Sequence, residues 1–158
     1  MPPKSVEQVL KAKRIEEITT PKLVQAPPEI SVKDGIELMQ KNRAGYIVVA
    51  KNKKVVGIFT ENDVIKKILD KDVDWNRPIG DFMTANPPTL KPTDLVGTAI
   101  DVMGAKKVYH IPLVDDNGDL VNVLSVRTLT RFLAEFYPTE IYNLPPRPDQ
   151  VMPTQEGG

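Results

Sequence analysis

The sequence contains no cysteine and only one histidine, His110. Without cysteine the chain forms no disulfide and supplies no thiolate, and one histidine cannot build a multi-histidine metal site, so only a carboxylate-based metal site stays open. No run approaches the roughly 18 apolar residues that span a bilayer, and the first residues lack the apolar core of a secretory signal. We therefore expect a cytosolic protein without membrane insertion, and we assign no residue to a metal site or to catalysis.

The sequence also lacks a charge excess, because 21 Lys and Arg residues face 21 Asp and Glu residues. Proteins that bind nucleic acid usually carry a basic surplus, so no nucleic-acid partner is expected. The length of 158 residues and the hydrophobic fraction of 41% suit one domain or two small domains that share a core.

Proline is concentrated at the C-terminal end of the chain. Five of the 15 prolines lie in the last 21 residues, at positions 138, 145, 146, 148 and 153. Such a segment favours an extended polyproline conformation and has too little apolar surface to fold alone. We expect residues 138–158 to form a proline-rich tail that ligand binding does not require.

An internal repeat organises the rest of the chain. Shifting the sequence by 64 positions aligns six identical pairs without a gap: Ile15 with Ile79, Thr20 with Thr84, Pro28 with Pro92, Ile36 with Ile100, Met39 with Met103, and Ile47 with Ile111. After residue 50 the shift becomes 65, because the polar turn of the second copy is one residue longer. Insertions are tolerated at such turns, so the pattern indicates a tandem duplication.

Each copy predicts the order helix, strand, strand, helix. In the first copy the apolar spacing predicts a helix over 32–42, strands over 46–50 and 55–59, and a helix from Thr60 to about Asp70. In the second copy the strands fall near 111–114 and 120–124, between helices that carry Leu95, Ala99, Ile100 and Met103 on one side and Leu129, Leu133 and Phe136 on the other. A separate helix opens the chain, with Ser5 and Gln8 as a capping box.

An isolated two-stranded hairpin is at best marginally stable, so the two copies should pack against each other. The uninterrupted apolar strand 46–50 indicates a sheet that is covered on both faces. The fold class is therefore mixed α/β (α+β), with two small sheets. We divide the chain into an N-terminal helix (1–14), repeat 1 (15–70), a connector (71–78), repeat 2 (79–137) and the tail (138–158).

The residues of both copies resemble a known family. The second copy contains TANPPTL at 84–90, HIPLVD at 110–115 and the turn Asn117-Gly118, and the first copy contains GIFTEND at 57–63. Their order and duplication resemble a stand-alone tandem pair of cystathionine beta-synthase (CBS) domains, also called a Bateman module. The resemblance implies a pseudo-twofold pair of repeats with two equivalent clefts, which in this family often bind AMP, ATP or another adenosyl compound.

The resemblance also assigns residues to the first-copy cleft. A Thr or Ser at the strand end contacts phosphate and an Asp three residues later holds the ribose hydroxyls, and Thr60 and Asp63 match both positions. Chemistry agrees, because a helix N-terminus attracts phosphate and a carboxylate accepts from a diol. Gly57 would let a flat base approach the backbone. An ordinary helix cap made by Thr60 and Asp63, with no ligand, stays open as the alternative.

The second copy departs from this pattern, since Ser125 keeps the hydroxyl but Asn122 replaces the glycine and Thr128 the aspartate. A threonine cannot make the charge-assisted bonds of a carboxylate, so this cleft is expected to be weak or empty. By resemblance, Lys107, Tyr109 and His110, just before the first strand of the second copy, face phosphate across the pseudo-twofold axis. For His110 the alternative is a half-buried position at the strand edge without a ligand role. The remaining candidate ligand contacts are Ile58, Thr20, Leu23, Val24, Tyr46, Ile47, Arg127, Lys107, Tyr109 and His110.

The functional expectation is a regulatory module that binds an adenine nucleotide and is not an enzyme. AMP, ADP and ATP are the expected ligands, with S-adenosylmethionine and NAD also compatible. The partners expected from the resemblance are a second copy, which forms a homodimer through helical faces, and an unidentified regulated protein. Two alternatives remain: a dimerisation scaffold with vestigial clefts, and a regulatory subunit of an enzyme or transporter.

Overall fold

The computed structural model describes residues 5–136, so the predicted tail lies outside the described residues. No helix in this part of the chain is both long and apolar enough to cross a bilayer. The helices are α1 (Val6–Ala12), α2 (Val32–Asn42), α3 (Glu61–Asp63), α4 (Val96–Lys106) and α5 (Val126–Phe136). The strands are β1 (Gln25–Ala26), β2 (Tyr46–Lys51), β3 (Lys54–Thr60), β4 (Thr84–Ala85), β5 (His110–Val114) and β6 (Leu120–Ser125).

Local hydrogen bonds explain where the first helices begin. The Ser5 hydroxyl accepts from the Gln8 amide at 3.2 Å, and the Gln8 side chain accepts from the Ser5 amide at 3.0 Å, which confirms the predicted capping box. At α2 the Ser31 hydroxyl accepts from the Asp34 amide at 3.0 Å. Each bond satisfies an amide that the first helical turn leaves without a partner.

The strands form two sheets, each built on the hairpin of one repeat, and the first sheet also includes β4 from repeat 2. The first has the order β1-β2-β3-β4 and the second pairs β5 with β6, and both central hairpins are antiparallel. The predicted order helix, strand, strand, helix is therefore confirmed in both copies. The sequence did not reveal β1 and β4, because two-residue strands are too short to show a period.

The helix after β3 differs from its prediction. The spacing predicts one α-helix from Thr60 to about Asp70. In the structure the α-helix α3 ends at Asp63, and a single π-helical turn, Val64–Ile68, follows it. The Leu69 amide donates to the Val64 carbonyl at 2.9 Å, which is the five-residue bond of a π turn. The chain then turns away at Asp70, whose φ is 59°.

The first residue of each repeat packs in the core of the other repeat. Ile15 opens repeat 1 but is fully buried in the core of repeat 2, and Ile79 opens repeat 2 but is fully buried in the core of repeat 1. Equivalent backbone bonds hold them, since Ile15 donates to the Asp94 carbonyl and Ile79 to the Ile30 carbonyl, at 2.9 and 2.8 Å. This exchange confirms that the copies pack together about a pseudo-twofold axis.

Candidate functional site

Two clefts lie between the repeats, and each combines a strand-to-helix turn from one repeat with the segment before the first long strand of the other. The first cleft, about 300 Å³, contains the β3–α3 turn and the second-repeat residues Lys107–His110. The second cleft, about 170 Å³, contains the β6–α5 turn and the first-repeat residues Arg43–Tyr46. The shifts of 64 and 65 residues convert one set into the other, so the clefts are pseudo-symmetric copies.

Tyr46 and His110 mark the axis between the clefts. These residues are equivalent in the repeat, each begins a strand, and their ring centroids are 4.7 Å apart at an interplanar angle of 32°. Two equivalent residues contact each other only near the symmetry axis. The Tyr46 hydroxyl donates to the Lys22 carbonyl at 3.1 Å and accepts from the Val24 amide at 3.3 Å, which fixes its ring in place.

His110 lines both clefts and lies half-buried at their boundary. Burial lowers the pKa of its imidazole from 6.5 to about 4, because the charged form loses solvation. The ring is therefore neutral at pH 7 in the unliganded protein. A neutral ring presents one N–H donor and one acceptor nitrogen rather than a positive charge.

Thr60 and Asp63 form a hydrogen-bonded pair at the first cleft. The Asp63 side chain is buried, and one of its oxygens accepts from the Thr60 amide at 2.9 Å and from the Thr60 hydroxyl at 3.2 Å. Its other oxygen pairs with the Lys67 ammonium at 2.9 Å, and Lys67 also donates to the Phe82 carbonyl at 2.7 Å. The helix cap that the sequence left as an alternative is thus present.

This cap does not use all the capacity of Asp63. A carboxylate offers about four acceptor positions, and three are occupied here. If the Thr60 hydroxyl rotated to donate to a phosphate, it would vacate a second position. Two acceptor positions are what a ribose diol requires.

The corresponding turn of repeat 2 keeps the backbone-to-hydroxyl hydrogen bond of the first turn but has Thr128 in place of the Asp63 carboxylate. The Thr128 amide donates to the Ser125 hydroxyl at 3.2 Å, and the hydroxyls of these two residues lie 3.2 Å apart. Asn122, at the position of Gly57, donates to the carbonyl of Thr20, a residue that lines the second cleft, at 3.2 Å. The turn thus keeps the hydrogen bond of the first-repeat turn, but residues 125–128 include no carboxylate for a ribose.

The structure brings most of the candidate contacts together. The first cleft contains Ile58, Thr60, Asp63, Lys107, Tyr109 and His110, and the second contains Thr20, Tyr46, His110, Ser125, Arg127 and Thr128. Leu23, Val24 and Ile47 line neither cleft, because they belong to the hydrophobic core of repeat 1 or pack against it.

Gly57 also lies outside the lining of both clefts. A Cβ atom at this position would overlap the Met83 side chain and lie 2.9 Å from the Thr84 carbonyl oxygen. Glycine is therefore explained by the close approach of β4 to β3, and the contact with a base remains a prediction.

Several cleft residues were missed by reading the sequence. Arg43 lies opposite the β6–α5 turn as Lys107 lies opposite the β3–α3 turn, and Lys22 and Arg131 complete the second cleft. The repeat shift contained this signal, since it maps Lys107 onto Arg43 and Thr84 onto Thr20.

Comparison with known proteins agrees with the geometry. The CBS domain profile matches residues 15–70 and 79–135. The chain belongs to the CBS domain family. An uncharacterised 17.7 kDa protein of Acidianus ambivalens is 28% identical to this CBS domain pair over 127 residues, which are 80% of this chain and 76% of that protein. The inosine-5'-monophosphate dehydrogenase of Methanocaldococcus jannaschii is 29% identical over 127 residues, 80% of this chain but 25% of the enzyme.

Solved structures share the fold of this CBS domain pair. A CBS domain protein from Pyrobaculum aerophilum, complexed with AMP, has a TM-score of 0.70 and 26% identity, covering 80% of this chain and 100% of that one. A CBS domain pair in complex with 5'-methylthioadenosine and S-adenosyl-L-methionine has a TM-score of 0.71 at 20% identity, covering 78% and 97% of the two chains, and shows the fold alone. These likenesses confirm the mixed helix and strand fold expected from the sequence.

Proposed function

We propose that this CBS domain pair is a regulatory module that binds an adenine nucleotide in its first cleft and acts through a partner protein. The observation that carries the proposal is the Thr60–Asp63 pair in a cleft of about 300 Å³, opposite Lys107 and His110. The AMP complex of the Pyrobaculum aerophilum relative supports the ligand class.

The first cleft offers a group for each part of the ligand. Thr60 and Lys107 donate to phosphate, Asp63 accepts from the ribose hydroxyls, and Ile58 and Pro87 supply apolar surface for the base. A neutral His110 adds a hydrogen bond at the boundary with the other cleft. None of these roles requires a bond to break, so the module senses its ligand without catalysis.

A thermal-shift panel tests this function. AMP, ADP, ATP, S-adenosylmethionine and NAD are compared at saturating concentration, with inosine monophosphate as a control for the base. A ligand at 100 times its dissociation constant stabilises the fold by about 2.7 kcal/mol, which raises the melting temperature measurably. At least one adenosyl ligand should do so. No shift with any of the five would contradict the proposal.

The scaffold function is the second candidate, and the Asp63 cap favours it. Because Thr60 and Lys67 satisfy Asp63 without a ligand, the pair would be retained for helix stability even if the cleft were vestigial. A scaffold would show no ligand-dependent shift in the panel. The location in the cytosol and the identity of the regulated protein stay predictions.

We also propose that the module forms a homodimer through the helical face of repeat 1. An apolar groove of about 500 Å³ runs between α2 and the Glu61–Ile68 segment and is lined by Ile36, Met39 and Val64. Ile65 borders it and is 63% exposed, which is unusual for isoleucine. A second copy packed on this face would remove Ile65 from water.

Replacing Ile65 with glutamate should therefore convert the dimer to a monomer, because a carboxylate loses its solvation when an interface buries it. Light scattering at high micromolar concentration measures the mass. The matched control is Val121→Glu, which places the same charge on an aliphatic residue of β6 that is 45% exposed and lies outside the groove. A monomeric unmodified protein, or equal dissociation of both variants, would refute this interface.

A further inference from the structure

The two clefts differ in charge, although the repeat relates their residues by pseudo-symmetry. Four positive side chains line the second cleft, Lys22, Arg43, Arg127 and Arg131, and no carboxylate from residues 5–136 does. In the first cleft Lys107 is the positive lining residue, and it is accompanied by Glu61 and by Asp63, which is paired with Lys67. The repeat shift explains the difference, because the positions equivalent to Lys22 and Arg127 are Asn86 and Asn62.

The four positive side chains form no ion pair within the described residues. Seven other Lys and Arg residues form ion pairs in the same part of the chain. Arg127 and Arg131 are four residues apart on α5, where like charges face each other and destabilise the helix. An anion bound between them would remove this repulsion.

Hydroxyl groups lie beside these charges. Thr19, Thr20, Ser125 and Thr128 line the same cleft, and the last two also mark the start of the 11-residue helix α5. Hydroxyls and guanidinium groups are the donors that bind phosphate oxygens. Thr128 stands at the position equivalent to Asp63. The second cleft therefore lacks the carboxylate that would accept from a ribose, and it also lacks a negative charge that would repel phosphate.

The volume of the second cleft limits what enters it. About 170 Å³ lies below the roughly 300 Å³ at which pockets begin to enclose a whole drug-sized ligand. A chain of phosphates fits this description, with any sugar and base remaining outside.

We propose that the second cleft binds the phosphate chain of a ligand with two or more consecutive phosphates, and recognises it by charge without gripping a ribose. The inference rests on the proposed function in one respect, that the clefts are ligand sites. It adds that they select different chemistry: an adenosyl group in the first and a polyphosphate in the second. The module would then respond to two signals.

Inorganic tripolyphosphate is the probe, because it has phosphates but no sugar or base. Calorimetry at about 50 mM salt, where charge interactions are not fully screened, should show saturable binding. The double variant R127Q/R131Q should weaken it by roughly tenfold or more, since charge-assisted bonds are the strong class. Both arginines are exposed, so the variant should fold, and its melting temperature is measured first.

The control variant is K66Q/K71Q, which removes two exposed lysines that line neither cleft; Lys66 is the repeat equivalent of Arg131. Its affinity for tripolyphosphate should stay within about twofold of the unmodified protein. An equal loss in this control would show that only the overall charge matters. Absence of tripolyphosphate binding, or a loss in Asp63→Ala and not in R127Q/R131Q, would overturn the assignment to the second cleft.

The outcomes separate this inference from the proposed function. If AMP binds and tripolyphosphate does not, the adenine-nucleotide function stands and the polyphosphate site is wrong. If tripolyphosphate binds through Arg127 and Arg131 while no adenosyl ligand binds, the polyphosphate site stands and the proposed function is wrong.

Discussion

Replacing Asp63 with alanine is expected to weaken adenine-nucleotide binding by roughly ten- to more than a hundredfold. In the proposed site the Asp63 carboxylate accepts from the ribose diol, and hydrogen bonds to a charged group contribute about 1.5 to 3 kcal/mol. Its buried side chain, held by Thr60 and Lys67, presents the acceptor in a fixed position. Calorimetric titration with AMP and ATP measures the change.

The variant also loses the carboxylate half of a helix cap, while the Thr60 hydroxyl still accepts from the amide of residue 63, so stability must be separated from binding. Losing this half costs up to about 1 kcal/mol, and Lys67 keeps its bond to the Phe82 carbonyl. The matched control is Asp94→Ala, because the Asp94 carboxylate accepts from the amide of Lys91 three residues earlier, as Asp63 accepts from Thr60, but outside both clefts. Asp94→Ala should bind as tightly as the unmodified protein, and equal binding by Asp63→Ala would show that Asp63 serves only as a cap.

The reciprocal change, Thr128→Asp, should give the second cleft affinity for adenosyl ligands. The Thr128 amide already contacts Ser125 as the Asp63 amide contacts Thr60, so the new carboxylate has the required backbone geometry. Repulsion between the new carboxylate and the phosphate of the ligand is limited because the positive side chains of Arg127 and Arg131 border the same cleft.

Replacing Phe59 with alanine is expected to lower the free energy of unfolding by about 3 to 5 kcal/mol, as large-to-small changes of buried aromatic residues do. Phe59 is fully buried in the core of repeat 1, one residue before Thr60. The same core includes Ile79 and Val123 from repeat 2, so both repeats should lose stability together. Urea denaturation followed by circular dichroism measures the shift.

The control for Phe59 is Val121→Ala, at a position that is 45% exposed, which should change stability by less than about 0.5 kcal/mol. The packing account predicts one cooperative transition that moves to lower urea. Two separate transitions, with only the first displaced in Phe59→Ala, would show that the repeats fold independently and would contradict the shared core.

The duplication made most of the fold predictable. Apolar residues that recur at equivalent positions, such as Ile36 with Ile100, fixed the order of helices and strands in both copies. The exchange of Ile15 and Ile79 could not be read from the sequence, because either isoleucine fits the core of either repeat. The π turn after Asp63 was missed for a similar reason, since its apolar spacing also suits an ordinary helix.

The site residues that belong to a polar motif were predictable from the sequence. The apolar candidates in and beside the strands were less predictable. Thr60 and Asp63 lie together in a cleft as their spacing indicated. Val24 and Ile47 were expected near a ligand but lie in the core, because both faces of this sheet are covered and the strand pattern does not reveal which side chains face the cleft. Arg43 and Arg131 were missed because a single positive residue is usually solvated.

Direct titration of the unmodified protein with AMP by calorimetry tests the central claim, that the first cleft is an adenosyl site. The account predicts saturable binding with one adenosyl site per chain, since only the first cleft offers a carboxylate for the ribose in its strand-to-helix turn. Absence of binding by AMP at millimolar concentration, repeated with ADP, ATP, S-adenosylmethionine and NAD, would contradict it and favour the scaffold.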